Sequence, residues 1–553
     1  MTPEALRDLL LEKRDVSTDE RESFLHPDFA ALSDPFLMDG MQRAVTRIIH
    51  AIKQNEPIVI YADYDADGIP GSVILNDAFC KLGHTNVRVY IPHRHTEGYG
   101  LHQEAVATLI DEGVKLIITV DLGITASETA LYVKNRGIDL IITDHHEPVG
   151  VLPEAYAVVN PKLGSYPDRM LCGSGVAFRL VQAIIKKLRA DEDPLVIDIP
   201  HGWEKWLLDM VGIATLSDMV PLLHENRILA TFGMRVLQKS QRPGLRALMR
   251  HARISQESLT EDDVVFSITP KLNVASRMAN PRDAFDLLST PDIGRADILV
   301  QHLVSLSDER KKETARIMRD VHKKMKSRPS SPIIVIGDPS WNHGVLGLVA
   351  TKLSEEYSCS SFVWSTDGTV VRGSCRSYGN ASMVRLMEHV APHFMQFGGH
   401  DGAGGFTVSR DNLHTIESEL VRAWTELNMK NDGGLATTHD TELTLTDITM
   451  DHYRVVRELA PFGCENAKPT FLFQNVIIAS CKQFGKQKEH LEIMITDDTG
   501  KRVKAISFFT TPEDFSGSCT EKNLVHLVAQ FDYSVYMNRP ELRLRIVDIL
   551  PIS

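Results

Sequence analysis

The chain has 553 residues, 43% hydrophobic and 24% charged, and a formal net charge of −13. This length exceeds what one hydrophobic core serves, so we expect several globular domains, and the lack of an apolar run of about eighteen residues excludes a membrane span. Seven cysteines without a CxxC pair argue against a disulfide framework and a thiolate zinc site, and a reducing, cytoplasmic setting fits them.

The first 225 residues predict an irregular, helical extension followed by βαβ units. Residues 1–50 form the extension, and from residue 51 short apolar runs alternate with helical patterns. Three apolar runs stop abruptly on Asp or His, and continuous runs of this kind are typical of parallel strands buried on both faces. The three runs with the residues that follow them are Ile58–Ala62 before Asp63, Leu116–Val120 before Asp121, and Leu140–Thr143 before Asp144.

The polar residues after these strands predict a metal centre. Ligands bind beyond the carboxyl ends of the strands in an open α/β sheet, so the side chains should converge there. Carboxylates and imidazoles suit Mn²⁺ or Mg²⁺. Asp65 and Asp67 lie two residues apart after the first strand, and Asp63 is a third candidate ligand. An Asx-type turn is the alternative, and it explains one aspartate better than three.

The second and third strand ends supply further candidates. Asp121 alone would be an ordinary helix N-cap, but its match to the other strand ends favours a ligand. After Asp144, the adjacent imidazoles of His145 and His146 cannot point the same way. We expect one to bind metal and the other to face the substrate. Two metals about 3.5–4 Å apart could share a carboxylate, activate water and polarise a phosphoryl oxygen.

The middle of the chain is mainly helical and ends in a long charged helix after Gly294. Between residues 308 and 328, nine Lys or Arg stand against four Asp or Glu, a local net charge of +5. A solvated helix face explains such a run, and a stripe that tracks phosphates between two domains is the alternative. Asp218 is a single acid in an apolar context, and by composition it is a helix-terminal carboxylate.

The last third predicts an α/β domain and a small barrel. A new strand opens at Pro332, and Ser374, Arg376 and the sequence Gly398–His400 would suit a phosphate, although turns and solvent-facing arginines are the commoner explanation. A polar linker is expected at residues 431–434. Apolar residues then alternate in the β pattern, which predicts a barrel such as the oligonucleotide-binding (OB) fold.

Four motifs, at Asp63–Gly68, Asp121, Asp144–His146 and Asp218, together resemble those of the DHH phosphoesterase superfamily. Gly398–His400 resembles the signature of its DHHA1 companion domain. Within the superfamily, nearly the whole chain is similar to the RecJ family of single-strand-specific exonucleases. The segments that carry this second likeness are Phe24–Pro27, Glu97–Leu101, Asn160-Pro161, Asn273–Arg277 and Pro461–Gly463.

The resemblance implies an α/β fold in five parts. These are an N-terminal extension (1–50), a parallel-sheet DHH phosphoesterase domain (51–293), a long connecting helix (294–330), an α/β DHHA1 domain (331–434) and an OB-like β-barrel (435–553). The resemblance implies that this barrel binds nucleic acid and guides the strand.

It also implies an exonuclease with two Mn²⁺ or Mg²⁺ ions that degrades single-stranded DNA from the 5′ end to mononucleotides, in DNA repair and recombination. His146, with Asp144, would act at the scissile phosphate. The implied metal ligands are Asp63, Asp65, Asp67, Asp121, His145 and Asp218, Asp63 being a ligand or a support. The implied substrate-binding residues are Arg277, Ser374, Arg376, Gly399 and His400.

Three positions depart from the family pattern: Leu122 replaces a common Asn, Cys375 a usual Gly, and Gly404 a common Ala. The alternatives are a DHH/DHHA1 phosphodiesterase acting on short oligonucleotides or cyclic dinucleotides, and a catalytically silent DNA-binding scaffold. A helicase and a single-strand-binding protein are family partners without a marker in this sequence. We expect a monomer without membrane association.

Overall fold

The computed structural model describes residues 1–366, 370–431, 438–485, 488–534 and 540–552. The chain divides into two compact units. The first contains Met1–Ser33, Met219–Phe232 and the described residues of 436–553, and the second contains Asp34–Asp218 and the described residues of 233–435. The predicted linker at 431–434 lies, after Asn431, outside the described residues.

The helices of the described residues are α1 Pro3–Glu12, α2 Arg21–Leu25, α3 Met41–Lys53, α4 Gly68–Lys81, α5 Gln103–Asp111, α6 Ser127–Asn135, α7 Gly173–Ala190, α8 Leu208–Ser217, α9 His224–Leu237, α10 Pro243–Ala252, α11 Glu261–Asp263, α12 Thr269–Met278, α13 Arg282–Ser289, α14 Ile293–Met325, α15 Leu346–Tyr357, α16 Met383–His389, α17 Ile416–Glu426 and α18 Met450–Glu458. The strands are β1 Ile58–Ala62, β2 Val87–Tyr90, β3 Leu116–Val120, β4 Asp139–Thr143, β5 Ala157–Val159, β6 Ile333–Gly337, β7 Ser360–Thr366, β8 Val371–Arg376, β9 Gln396–His400, β10 Ala403–Val408, β11 Thr441–Glu442, β12 Phe471–Phe484, β13 His490–Thr496, β14 Arg502–Phe508, β15 Leu524–Ser534 and β16 Glu541–Pro551.

The first sheet is parallel throughout, with strand order β2-β1-β3-β4-β5. Its three central strands are those predicted from the apolar runs, and β1 and β3 are buried along their whole length. Ala62 pairs with Val120, and Val120 pairs with Thr143. The three strands therefore end at the same level, and the polar residues that follow them start from one edge of the sheet.

The long charged helix α14 is shorter than predicted at its C-terminal end. It spans Ile293–Met325, so residues 326–330 of the predicted connecting helix are not helical. Pro329 accounts for this difference, because a proline disfavours helical backbone at the preceding residue and has no N–H to donate.

The second sheet has the order β6-β7-β8-β10-β9, with β6 and β7 parallel and the other neighbours antiparallel. The third sheet closes on itself, because β12 pairs with both β13 and β15. Its core includes Leu6 and Leu10 of α1, so the N-terminal helix completes the barrel. The predicted fold class, a parallel-sheet domain, an α/β domain and an OB-like barrel, is confirmed. Among the described residues, no helix has both the length and the apolar character needed to cross a bilayer.

Candidate metal centre

Backbone hydrogen bonds extend the parallel sheet by one residue beyond each central strand. The N–H of Asp63 donates to Val120 O at 3.1 Å, and that of Asp121 donates to Thr143 O at 3.0 Å. The N–H of Asp144 donates to Val159 O at 3.1 Å. The backbone of each acidic residue is therefore fixed by the sheet, and its side chain starts at the end of the strand.

Asp65 and Asp67 occupy the turn between β1 and α4 but have different partners. Asp65 Oδ1 accepts hydrogen bonds from the N–H groups of Asp67 and Gly68, at 2.8 and 3.1 Å, as in an Asx-type turn. Asp67 instead accepts from the N–H groups of Gly173 and Ser174, both at 2.6 Å. These two donors are the first residues of α7, where the positive end of the helix dipole favours a carboxylate.

Gly173 and Ser174 are site residues that the sequence reasoning missed. The signal available was the glycine-rich stretch Cys172–Gly175 at the start of a helical pattern. A Cβ on Gly173 would lie 2.6 Å from Asp121 Cβ, so this helix end packs directly against the second strand's aspartate. The start of α7 thus holds Asp67 through hydrogen bonds and restricts the position of Asp121 by close packing.

Asp121, His145 and Asp218 converge on one point. His145 Nε2 lies 3.1 Å from Asp121 Oδ1, 3.5 Å from Asp218 Oδ2 and 3.8 Å from Asp67 Oδ2. Asp218 reaches this point from the C-terminal end of α8. Asp63, Asp65 and Asp121 form a second, overlapping group whose ligand atoms lie within 4.8 Å of one another.

The electrostatics of these side chains are unfavourable without a cation. Burial and the neighbouring aspartates raise the pKa of Asp63 and Asp121 well above its usual range, and they raise that of Asp218 to about 9. Burial, and then the charge of His146, lowers the pKa of His145 to about 3, so this imidazole is neutral.

Several buried ligand atoms also lack hydrogen-bond partners. Within the described part of the chain, Asp63 Oδ1, Asp121 Oδ1 and His145 Nε2 have none. Buried polar atoms are rarely left in this state. Carboxylate oxygens and a neutral imidazole nitrogen are ligands that Mn²⁺ and Mg²⁺ accept. The residues present therefore fit divalent cations.

Asp144 and His146 form a separate pair beside this cluster. Asp144 Oδ1 accepts from His146 Nδ1 at 2.8 Å, and its Oδ2 accepts from the N–H of Ile124 at 2.8 Å. Burial lowers the pKa of His146, but the hydrogen bond and the charge of Asp144 outweigh it, so the pKa lies above its ordinary value. Asp144 thus orients His146 and favours its protonated form, and Tyr99 Oη lies 3.3 Å from the same nitrogen.

A cluster of arginines, Arg94, Arg277, Arg310 and Arg376, lies in the same compact unit as the acidic group. Burial, and then the charges of Arg94, Arg310 and Arg376, lowers the pKa of Arg277 to about 9. In the described residues, no carboxylate is among the main charges that act on Arg277, Arg310 or Arg376. The guanidinium of Arg94 lies 4.9 Å from the ring centroid of Tyr64, next to Asp63 and Asp65. Arg94 was not identified from the sequence.

Ser374 and Arg376 share strand β8 and lie against the first turn of α15. A Cβ on Gly347 would be 3.0 Å from Arg376 Nη2 and 3.6 Å from Ser374 Oγ. Ala403 of β10 pairs with both Arg376 and His400, which places these two residues in one row, two strands apart.

Gly399 and His400 are exposed. Gly399 has a φ of +145°, and a Cβ there would be 2.3 Å from Ala403 O. Only glycine fits at this position.

Two of the three departures from the family pattern compensate each other. Cys375 is fully buried, and a Cβ on Gly404 would lie 3.0 Å from its sulfur. The larger side chain at 375 therefore fills space that a methyl group at 404 would use. Leu122 is fully buried in the core beside the parallel sheet.

The basic run of residues 308–328, most of which lies on α14, is partly neutralised. Arg316 pairs with Glu313 and Asp320, Lys324 with Asp338, and Arg328 with Glu417. Arg310, at the other end of the run, acts on Arg277. A phosphate stripe along the whole helix is therefore less well supported than a contribution from its Arg310 end.

Replacing Gly173 with alanine tests the contact with Asp121. We expect Gly173→Ala to displace Asp121 and weaken the rise in melting temperature that Mn²⁺ produces, because the added Cβ would overlap Asp121 Cβ at 2.6 Å. Gly294→Ala is the control, since only the tip of Asp292 comes near its added Cβ, at 3.3 Å. Equal Mn²⁺ responses in the two variants, measured by thermal denaturation, would contradict the prediction.

Three family models match consecutive parts of the chain. They are the DHH family N-terminal domain at residues 57–215, the DHHA1 domain at 330–426 and the RecJ OB domain at 439–548.

Curated relatives match the chain as a whole. The single-stranded-DNA-specific exonuclease RecJ of Bacillus subtilis is 32% identical over 545 residues, covering 98% of this chain and 67% of that protein. The protein of the same name from Haemophilus influenzae is 30% identical over 494 residues, covering 85% of this chain and 84% of its own length.

Solved structures agree in fold. A crystal structure of RecJ from Thermus thermophilus in complex with Mn²⁺ superposes with a TM-score of 0.82 at 24% identity, covering 99% of this chain and 76% of that one. A structure of exonuclease RecJ bound to manganese has a TM-score of 0.61 at 29% identity, covering 71% of this chain and 96% of that one.

Proposed function

Because the chain belongs to the RecJ family of single-stranded-DNA-specific exonucleases, we propose that it hydrolyses single-stranded DNA from the 5′ end to mononucleotides, in DNA repair and recombination. The observation that carries this proposal is the convergence of Asp67, Asp121, His145 and Asp218 at one sheet edge, with unpartnered buried ligand atoms. Burying several carboxylates together destabilises the folded state, and a protein that only bound DNA would gain nothing from this arrangement.

The proposed cofactor is a pair of Mn²⁺ or Mg²⁺ ions. Asp65, Asp67, Asp121, His145 and Asp218 would hold them, and Asp63 would be a ligand or a support. When bound, the ions would supply an activated water and stabilise charge on the phosphoryl group. The neutral imidazole of His145 keeps a lone pair free for a metal ion. The N–H groups at the start of α7 donate to Asp67 and fix its carboxylate in place.

His146 is the proposed proton donor to the leaving oxygen. Burial lowers the pKa of His146, but the hydrogen bond and the charge of Asp144 raise it above its ordinary value, which favours the protonated form. An imidazolium can stabilise negative charge and give up a proton. Asp144 would be a positioning residue, because its oxygens already accept bonds from His146 and from the backbone of the neighbouring loop.

The arginine cluster would bind the phosphate at the 5′ end. The charges of Arg94, Arg310 and Arg376 act unfavourably on Arg277, and a phosphate would relieve that repulsion. Ser374, Gly399 and His400 belong to the same proposed subsite. An anchored 5′ phosphate would set which end of the strand enters, and so the direction of cleavage.

The wider setting of the enzyme is also proposed. We retain the five predicted domains, with the connecting helix ending at Met325. We also propose a monomeric state, a cytoplasmic location, which the seven free cysteines support, and partnership with a helicase and a single-strand-binding protein.

Product analysis on long single-stranded DNA labelled at either end would test the proposal. We expect Mn²⁺ or Mg²⁺ to support release of labelled mononucleotide from the 5′ end, while chelator or a blunt duplex gives none. Consumption of di- and trinucleotides alone would favour a short-oligonucleotide phosphodiesterase. Intact DNA with binding retained would favour a scaffold.

A further inference from the structure

The position of the proposed metal ligand Asp218 depends on the helix that carries it. Asp218 caps the C-terminal end of α8, and its N–H donates to Ala214 O at 2.9 Å. In the described part of the chain, no hydrogen-bond donor fixes its carboxylate, which lies 3.5 Å from His145 Nε2. Asp67, by contrast, accepts two N–H bonds from the start of α7. The carboxylate of Asp218 is therefore only as well placed as the last turn of α8.

A pair of hydroxyl groups holds this last turn. Ser217 Oγ donates to Ile213 O at 2.6 Å and lies 2.6 Å from Thr269 Oγ1. Because a serine hydroxyl has one proton, Thr269 is the donor in the second hydrogen bond. Thr269 is buried, so water does not compete for this hydrogen bond. The residue next to Asp218 is thus fixed from a second helix, α12.

Thr269 faces Ser217 because of an irregular turn in its own helix. The helix α11, a π-helical turn at Val264–Ile268 and the helix α12 follow one another without a break. A π-helical turn contains one residue more than a regular turn, so it rotates every later side chain about the helix axis by roughly 100°. In a regular helix, a neighbouring side chain would face Ser217. The irregular turn therefore places a hydroxyl group beside a proposed metal ligand, and such turns are frequent at functional sites.

The other end of α12 carries Arg277 of the arginine cluster. Thr269 and Arg277 are eight residues apart in the sequence, so they lie on one face of the helix, about 12 Å apart. Arg277 has contacts of its own, because its carbonyl oxygen lies 2.9 Å from His95 Nε2 and its Nη1 donates to Gly344 O at 3.4 Å. Loss of the Thr269 hydroxyl should therefore affect Asp218 and leave the phosphate-binding end of the helix in place.

We infer that Thr269 is a positioning residue for the metal centre, whose hydroxyl holds Ser217, and with it the end of α8, so that Asp218 reaches the metal ions. This inference deepens the proposed function and rests on it, since the ions are those of the proposed cofactor. Loss of the hydroxyl weakens metal binding and lowers kcat, while KM for the 5′-phosphorylated strand stays that of the parent.

Thr269→Val tests the inference, because it removes the hydroxyl and keeps the shape of the side chain. In a Mn²⁺ titration followed by thermal denaturation, half of the stabilisation should require about tenfold more Mn²⁺ than in the parent, since losing a group that supports a metal ligand typically costs about 10–100-fold in affinity. Thr269→Ser keeps the hydroxyl and should behave like the parent. Ser217→Ala should reproduce the loss independently, and adding Thr269→Val to it should raise the Mn²⁺ requirement no further, because both changes remove one hydrogen bond.

Ser365→Ala is the matched control, since Ser365 of β7 is fully buried and its hydroxyl donates to Trp341 O at 2.6 Å. This variant should lose thermal stability and keep the Mn²⁺ requirement of the parent. An unchanged Mn²⁺ requirement in Thr269→Val, or an equal increase in Thr269→Ser or Ser365→Ala, would overturn the inference. A parent that binds Mn²⁺ but cleaves no single-stranded DNA would overturn the proposed function, whereas a raised Mn²⁺ requirement in Thr269→Val would still support the role of Thr269.

Discussion

Asp121→Asn is expected to abolish cleavage of single-stranded DNA and to leave the metal-free protein at least as stable as the parent. Asp121 Oδ1 lies 3.1 Å from His145 Nε2, and Asp121 also belongs to the group with Asp63 and Asp65, so its loss would affect both groups of candidate ligands. Metal ions contribute several kcal/mol of transition-state stabilisation, so the rate should fall by about a thousandfold or more.

The stability of the metal-free variant follows from the pKa of Asp121. Burial and then the charges of Asp67, Asp65 and Asp218 raise that pKa, which means that the folded state disfavours the ionised carboxylate. A neutral amide of the same shape removes this cost, and its N–H₂ group could donate to His145 Nε2, 3.1 Å from the present Oδ1. The free energy of unfolding without metal should rise, and Mn²⁺ should then add much less stability than it adds to the parent.

Asp209→Asn is the control, with the opposite expected result. Burial raises the pKa of Asp209 as well, but the charged carboxylate has partners that Asp121 lacks, because it accepts hydrogen bonds from Ser240 at 2.8 Å and from Arg242 at 2.9 Å. Removing its charge leaves Arg242 with one acidic partner fewer, so this variant should lose stability and keep its activity. Thermal denaturation with Mn²⁺ or with chelator, together with the cleavage assay, would distinguish Asp121→Asn from Asp209→Asn. A full Mn²⁺ response in Asp121→Asn would contradict the assignment of Asp121 as a ligand.

The part of the site that lies on the parallel sheet could be predicted from local sequence. Apolar runs of four or five residues that end in Asp or His predict buried parallel strands, and the ends of such strands meet at one edge. Asp63, Asp121 and Asp144 follow those strands directly, so their convergence needed no knowledge of the tertiary fold. Asp218, which reaches the site from a helix, was expected only through the family resemblance.

Contacts that depend on tertiary packing could not be predicted in the same way. Gly173 and Ser174 donate to Asp67 across more than 100 residues of chain, and no periodic pattern specifies such a pairing. Arg94 lies in a loop whose local sequence predicts no charge cluster. Leu6 packs in the barrel core, although it lies more than 400 residues earlier in the chain.

Arg376→Gln is expected to raise KM for 5′-phosphorylated single-stranded DNA by about 10- to 100-fold, since hydrogen bonds to charged groups contribute roughly 1.5–3 kcal/mol. The kcat should stay close to that of the parent, because Arg376 would hold the terminal phosphate and not the reacting one. The variant should also discriminate less between 5′-phosphate and 5′-hydroxyl ends. Steady-state kinetics on the two kinds of end would measure both effects.

Arg316→Gln gives the matched control for this loss of charge. Arg316 already pairs with Glu313 at 2.7 Å and Asp320 at 3.5 Å, so we expect its variant to keep the parent KM and the preference for a 5′ phosphate. Inorganic phosphate should stabilise the parent more than Arg376→Gln, because an anion relieves the repulsion by neighbouring arginines that, after burial, lowers the pKa of Arg277. If Arg376→Gln instead lowered kcat and left KM and the end preference unchanged, Arg376 would act at the reacting phosphate, and the proposed 5′-end subsite would be wrong.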